Sequence, residues 1–352
     1  MQKMARYFSE YLPRLKTTSV QVELPRDQVD SVEVRDDSVV INSSIDIKLP
    51  SAIQSSQASH AVNAVSPGLT SIRIRDRQAA FLANDSMESF LQDQYQWNIS
   101  NIQKYHMHDV LRCVSCDSPI IDLKEVKKLL PMPSELWYEM LDFWHCHKPT
   151  VENNNIGLLK KFNQLKPNPK TLIIGSYYFI ANPEDWANIE ACGQENESLE
   201  CGCCHEILGE LDSNIGNYKI LKWQLKVENE LFKPFAYISL KLVEEMNYSA
   251  LRVFQIIDEK SKRSIQVWCF GLGIDINVDT LGVMKNCLKI LYKENMQEDS
   301  TSRLKGGNNN SEILVEYEKS FDDFCIWLQK VNQALPENLQ KYNDWNVTYI
   351  PI

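Results

Sequence analysis

No stretch of this 352-residue chain approaches the roughly 20 consecutive apolar residues that a bilayer-crossing helix needs. The opening residues Met1-Gln2-Lys3-Met4-Ala5-Arg6-Tyr7-Phe8 also lack the apolar core of a secretory signal. A soluble, non-secreted protein with no membrane partner is expected. Broad positive charge is missing too. With 37 Lys and Arg against 47 Asp and Glu, the formal net charge is −10, a field that repels phosphate backbones and argues against direct nucleic-acid binding. No internal repeat is found, which sets aside stacked-repeat architectures.

What is present reads as folded. The composition is 43% hydrophobic and 24% charged, too apolar for a disordered chain, and the length admits two domains. The ten cysteines of a non-secreted chain this long point to reduced thiols or metal ligands rather than disulfides.

The periodicity predicts an α+β protein in three consecutive regions: a β-rich, antiparallel N-terminal region at 1–110, a zinc-binding middle at 111–215, and an α+β region at 216–352. Val32, Val34, Val39, Ile41, Ile45, Ile47 and Leu49 recur at a two-residue period, as does Ser71 to Arg75. Asp122 and Glu125 suggest a capping box opening a helix through Leu123, Val126 and Leu130, stopped by Pro131 and Pro133. Trp137, Met140, Leu141 and Trp144 fit a second, amphipathic helix. Strands are expected in 171–174 and 177–180, and one long strand over 221–227, where Leu221, Trp223, Leu225 and Val227 alternate with residues expected to face water. Phe235 to Met246 should be helix, and 251–257 and 265–270 strands. Leu281, Met284, Leu288 and Leu291 fit another helix, 313–317 a strand, and Phe321, Phe324, Leu328 and Val331 a last helix. Residues 294–311, rich in Asp, Ser, Gly and Asn, are expected to form a mobile loop.

The strongest chemical signal is a pair of C-x-x-C units, Cys113-Val114-Ser115-Cys116 and Cys201-Gly202-Cys203-Cys204. That spacing lets two thiolates grip a tetrahedral zinc from one turn, so two units make one four-sulfur site of Cys113, Cys116, Cys201 and Cys204. Buried, inert thiols are the plainer alternative. Cys203 and His205 compete as ligands and are left out of the site. His145-Cys146-His147 groups three metal-capable side chains, or is a packed turn. Cys269, Cys287 and Cys325 sit in apolar patterns without an adjoining His or Asp, which suits core thiols better than a thioester-forming nucleophile.

Several strings occur together and in order: the two C-x-x-C units, Leu130-Pro131-Met132-Pro133-Ser134-Glu135-Leu136-Trp137, Trp144-His145-Cys146-His147, Ile174-Gly175-Ser176-Tyr177-Tyr178-Phe179, and Ile207-Leu208-Gly209-Glu210. In these the chain resembles the HECT-like ubiquitin-protein ligases that bind a ubiquitin-conjugating enzyme, whose fungal members are known as important for cleavage and polyadenylation. The resemblance implies ubiquitin transfer with a conjugating enzyme as partner. It also implies association with the metallo-β-lactamase-type endonuclease of pre-mRNA 3′-end processing, and hence residence in nucleus and cytoplasm. On that resemblance Trp137, Trp144, Cys146 and His147 form the partner-binding segment, with Cys146 reaching the nuclease's zinc. Two functions are thus expected to compete: a regulator or assembly factor of the endonuclease, and a thioester-forming ligase.

Overall fold

A computed structural model of the chain describes residues 6–76, 95–105, 109–132, 167–193, 197–212, 216–295 and 311–352. The protein is β-rich. Three α-helices occur among the described residues: α1 (Ile99–Tyr105), α2 (Ala236–Ser249) and α3 (Glu318–Ala334). The chain forms two compact units, one of residues 1–85 with 235–352 and one of 86–234. Strand pairing takes no account of sequence order, so this grouping runs across the boundaries drawn at 110 and 215.

The first unit is built on a ten-stranded sheet. Its path runs Lys341–Tyr342, Trp345–Pro351, Gly282–Asn295, Ser264–Val278, Tyr7–Leu12, Thr17–Val22, Leu69–Asp76, Ala58–Ser66. Val253–Asp258 pairs beside the first part of Ser264–Val278 and carries Ser311–Val315 in parallel on its other side. Tyr7–Leu12 lies against Ser264–Val278, which binds the two distant parts of the chain into one sheet. The expected alternation in 32–48 is realised as a three-stranded sheet, Val32–Val34, Ser38–Ile41 and Ile45–Lys48. Its Val39, Ile41 and Ile47 form one core with Val20, Val22, Ile72 and Ile74 of the large sheet. A second core joins Phe8, Ile276, Cys287, Leu291 and Tyr349 to Val331 of α3 and to Leu335 just beyond it. Trp327 of α3 donates its Nε1–H to the Tyr349 carbonyl at 3.1 Å and stacks on Phe235.

The second unit holds a seven-stranded sheet, ordered Lys128–Pro131, Thr171–Ile174, Tyr178–Ile180, Asn217–Leu221, Ile207–Asp212, Ser198–Cys201, Ile189–Cys192. A four-stranded sheet comprises Glu230–Leu231, Leu225–Val227, Val110–Cys113 and Pro119–Asp122. Gly209 is required by close approach. A Cβ there would collide with the Lys219 carbonyl oxygen on the paired strand.

Three sequence expectations are corrected. The helix from Asp122 is instead a turn followed by the strand Lys128–Pro131, parallel to Thr171–Ile174. Asp122 does cap an amide, but that of Lys124 at 3.0 Å, as short acidic side chains do in turns, while Glu125 pairs with Lys170. The helix on Leu281 to Leu291 is the strand Gly282–Asn295. Its register slips by one residue between Met284 and Cys287, where Asn286 has φ 52°, so Met284, Cys287 and Leu291 reach one core. A bulged strand thereby imitates helical spacing.

The third correction concerns 221–227. A 3-10 turn at Lys222–Gln224 divides this stretch, so that Leu221 pairs with Tyr178 in one sheet and Leu225 with Cys113 in the other. Lys222, expected to face water, is completely buried. Its ammonium donates to the carbonyls of Trp97 and Ser176, both at 3.1 Å, and lies 4.6 Å from the centre of the Tyr95 ring and 5.3 Å from that of Phe179. Carbonyl oxygens and ring faces together replace the water it gives up. The other main helices and strands from 235 onward follow the expected pattern, and the segment 296–310 of the expected loop lies outside the described residues while 294–295 and 311 are strand.

Lys222→Ala should destabilise the protein by roughly 2–4 kcal/mol, because the buried carbonyls lose their donor and the stem leaves a cavity. Urea unfolding with an unchanged m-value checks this. A change within about 0.5 kcal/mol of zero, the size of an ordinary surface substitution, would show that the ammonium is not held as described.

Candidate metal centre

Each C-x-x-C unit sits at the tip of a two-stranded hairpin. Cys113 ends Val110–Cys113 and the chain returns along Pro119–Asp122; Cys201 ends Ser198–Cys201 and returns along Ile207–Asp212. The two tips fold alike. Cys113 N–H donates to the Ser118 carbonyl and Asp117 N–H to the Cys113 carbonyl, at 2.9 and 3.0 Å; Cys201 N–H donates to Glu206 and His205 N–H to Cys201, at 2.9 and 2.8 Å. The residue after each second cysteine is left-handed, Asp117 at φ 65° and His205 at φ 59°. Aspartate and histidine are among the non-glycine residues most tolerant of that conformation.

This local geometry turns backbone amides onto the sulfurs. Amides of Ser115 and Cys116 face the Cys113 sulfur, and those of Cys203 and Cys204 face the Cys201 sulfur. Ser118 and Glu206 serve Cys116 and Cys204 in the same way. Such donors stabilise thiolates rather than thiols.

The fold closes the gap of 84 residues between Cys116 and Cys201. Asn188 stitches the hairpins together: its side-chain amide donates to the Pro119 carbonyl at 2.9 Å, while its own carbonyl accepts Gly202 N–H at 2.8 Å. Beside it, Ala187 N–H donates to the Ile120 carbonyl at 2.8 Å. Sequence reading missed Asn188, which carries no metal-site signature and owes its role to where the backbone places it.

The four sulfurs of Cys113, Cys116, Cys201 and Cys204 all lie within 4.8 Å of one another. Cys113 is 3.7 Å from Cys204, and Cys116 is 3.5 Å from Cys201. A disulfide would be about 2.05 Å. Zinc bonded to four sulfurs at about 2.3 Å sets a tetrahedral edge of about 3.8 Å, so the spacing fits a four-thiolate zinc site. These cysteines could hold a metal ion such as zinc.

The electrostatics differ from one sulfur to the next. Burial pushes the Cys201 thiol up, but the amides of Cys203 and Cys204 and the neighbouring sulfurs outweigh it and bring it down to about 7. Burial dominates at Cys113, whose thiol is raised. At Cys116 and Cys204 an amide donor pulls the thiol down, yet burial and the neighbouring sulfurs leave both raised. Four thiolates this close repel one another, and a divalent cation removes the obstacle to ionising all four.

Cys203 and His205 point elsewhere: the Cys203 sulfur lies 3.3 Å from Ser118 Oγ, and His205 Nδ1 is 3.0 Å from Glu200 Oε1. Trp137, Trp144, Cys146 and His147 lie outside the described residues. In the other unit burial raises the thiols of Cys269 and Cys325 to about 12 and that of Cys287 further still. Thiols raised so far stay protonated at neutral pH, which leaves them poor nucleophiles.

Two cysteine hairpins meeting at one point define a β-rich protein whose second unit gathers four thiols that could hold one metal ion. Residues 10–347 match the family described as HECT-like ubiquitin-conjugating enzyme (E2)-binding, and the chain belongs to it. It is 28% identical over 356 residues to an uncharacterized Saccharomyces cerevisiae protein, covering 98% of this chain and 99% of that one. An uncharacterized Schizosaccharomyces pombe protein is 25% identical, covering 73% of this chain and 77% of its own. An E3 ubiquitin-protein ligase of Rattus norvegicus is 26% identical over 102 residues, which is 29% of this chain and 25% of that protein. No solved structure matches.

Reduced, purified protein should carry one zinc ion per chain by elemental analysis, and Cys201→Ser should lose most of it while Cys203→Ser keeps it. Removal with a strong chelator should lower the unfolding midpoint, since metal binding adds directly to folding energy. A well-folded, metal-free wild type would refute the assignment.

Proposed function

We propose that the protein binds a ubiquitin-conjugating enzyme and serves ubiquitin ligation as a non-covalent bridge, with zinc held by Cys113, Cys116, Cys201 and Cys204 as a structural staple. The family match over residues 10–347 carries this reading, and the ligase name of its mammalian relative supports it. A bridge is favoured over a thioester carrier on Cys269, Cys287 or Cys325 because burial raises all three thiols and disfavours the thiolate such a step needs. The zinc chemistry needed is structural only: four protein ligands leave no position for a substrate or water.

The test is incubation with a panel of ubiquitin-charged conjugating enzymes. At least one should bind and discharge ubiquitin to lysine without a thiol-sensitive adduct on this chain. Such an adduct, removed by changing one of its cysteines, would establish the thioester mechanism instead. Binding to none of the panel would remove the bridge reading.

A second reading rests on the Pro133-Ser134 to Cys146-His147 strings. In it the protein regulates or assembles the metallo-β-lactamase-type endonuclease of pre-mRNA 3′-end processing, working in nucleus and cytoplasm, with Trp137 and Trp144 as anchors and Cys146, helped by His147, as a soft ligand for the nuclease's zinc. A net charge of −10 favours a protein surface over RNA as the direct contact. Co-purification with the nuclease should weaken for Cys146→Ser; equal recovery and equal cleavage would take Cys146 out of the mechanism.

A further inference from the structure

The outermost strand of the large sheet, Ala58–Ser66, is nine residues long and pairs on one side only, with Leu69–Asp76. Among the described residues no strand lies along its other side. Antiparallel pairing engages the N–H and C=O of alternate residues, so the others aim theirs outward as an open ladder. Soluble proteins usually blunt such an edge with lysine, proline, shortness or a bulge; the register here shifts between Ala64 and Ser66, so the regular ladder spans Ala58 to Ala64. Ala58-Ser59-His60-Ala61-Val62-Asn63-Ala64-Val65-Ser66 contains no Pro, Lys, Arg, Asp or Glu, and none of it is buried.

Charge beside this edge runs against the rest of the chain. Arg73 and Arg75 are exposed and stand opposite Ala61 and Ser59. Neither guanidinium has an ion pair among the described residues. Arg14 is exposed in the turn just before Thr17, which pairs with Arg75. A chain of net charge −10 thus places three exposed arginines, with Asp76 opposite Ala58, beside a sheet edge that has no partner among the described residues. A strand added here would lie about 9.6 Å, two strand spacings, from the arginine strand. Only the small Ala61 and Ser59 intervene at those positions. An arginine reaching over them can meet a carboxylate on the added strand, and because side chains alternate, the acidic residues would recur at every second position.

We propose that Ala58–Ser66 is a docking edge for an extended acidic segment of a partner protein, added as a further strand and selected by Arg73 and Arg75. Main-chain bonds supply adhesion and the arginine pair supplies the choice of partner. This site is independent of the conjugating-enzyme reading.

The test uses the full chain and a capped peptide of alternating glutamate and threonine, as long as the strand, followed by fluorescence anisotropy and amide hydrogen exchange. Saturable binding is expected, with new exchange protection confined to residues 58–66 and their paired strand. Replacing glutamate by lysine in the peptide, or Arg73→Glu with Arg75→Glu in the protein, should weaken binding about tenfold or more. Both arginines are exposed, so the double variant should keep the wild-type melting temperature. The proposal is overturned by absence of saturable binding, by binding indifferent to either charge reversal, or by protection that appears elsewhere. Self-association that protects 58–66 without peptide would equally overturn it, assigning the edge to a second copy of the chain.

Discussion

Four sulfurs within 4.8 Å of one another are the constraint on which the second unit turns. Left as thiols they offer weak hydrogen bonds; left as thiolates they repel. A divalent cation would resolve both problems at once, and backbone amides are aimed at every sulfur. The two hairpins bearing these sulfurs belong to different sheets, so the cluster and the Asn188 stitch bind those sheets together. Because an unfolded chain has no such site, an ion held here would add its binding energy to the folding of this unit.

The first unit holds itself together by different means. Its two stretches of chain share one sheet through Tyr7–Leu12 and the long hairpin of Ser264–Val278 with Gly282–Asn295, and its cores are almost wholly aliphatic and aromatic. The thiols it buries fill space; its potential for interaction lies at its rim. A strand edge with no partner among the described residues is chemically indiscriminate, and nearby charge would confer preference.

Buried polar groups show how far the interior departs from simple patterning. Lys222 sits among aromatic rings and carbonyls, and Tyr349, wholly enclosed, donates to Glu10 at 2.9 Å while Lys289 reaches the same carboxylate. Each arrangement joins residues far apart in sequence. Their value is specificity of geometry, since an ammonium or carboxylate inside tolerates few alternative packings.

Local chemistry determined a good deal of this protein directly from its residues. The two-residue period of Val32 to Ile47, the helical spacing of Phe235 to Met246 and of Phe321 to Val331, and the paired C-x-x-C knuckles were all readable, because each depends on neighbours a few positions away. The strings around both knuckles also pointed to the family. Tertiary structure alone decided the rest. A bulge at Asn286 made a strand look helical; a 3-10 turn at Lys222 took a lysine inside; and the Asp122 cap served a turn because a parallel ladder with Thr171–Ile174 claimed the chain beyond it. Strand partners, burial of charge and convergence of distant cysteines depend on contacts between residues tens or hundreds of positions apart, and no local pattern encodes which partner will be met.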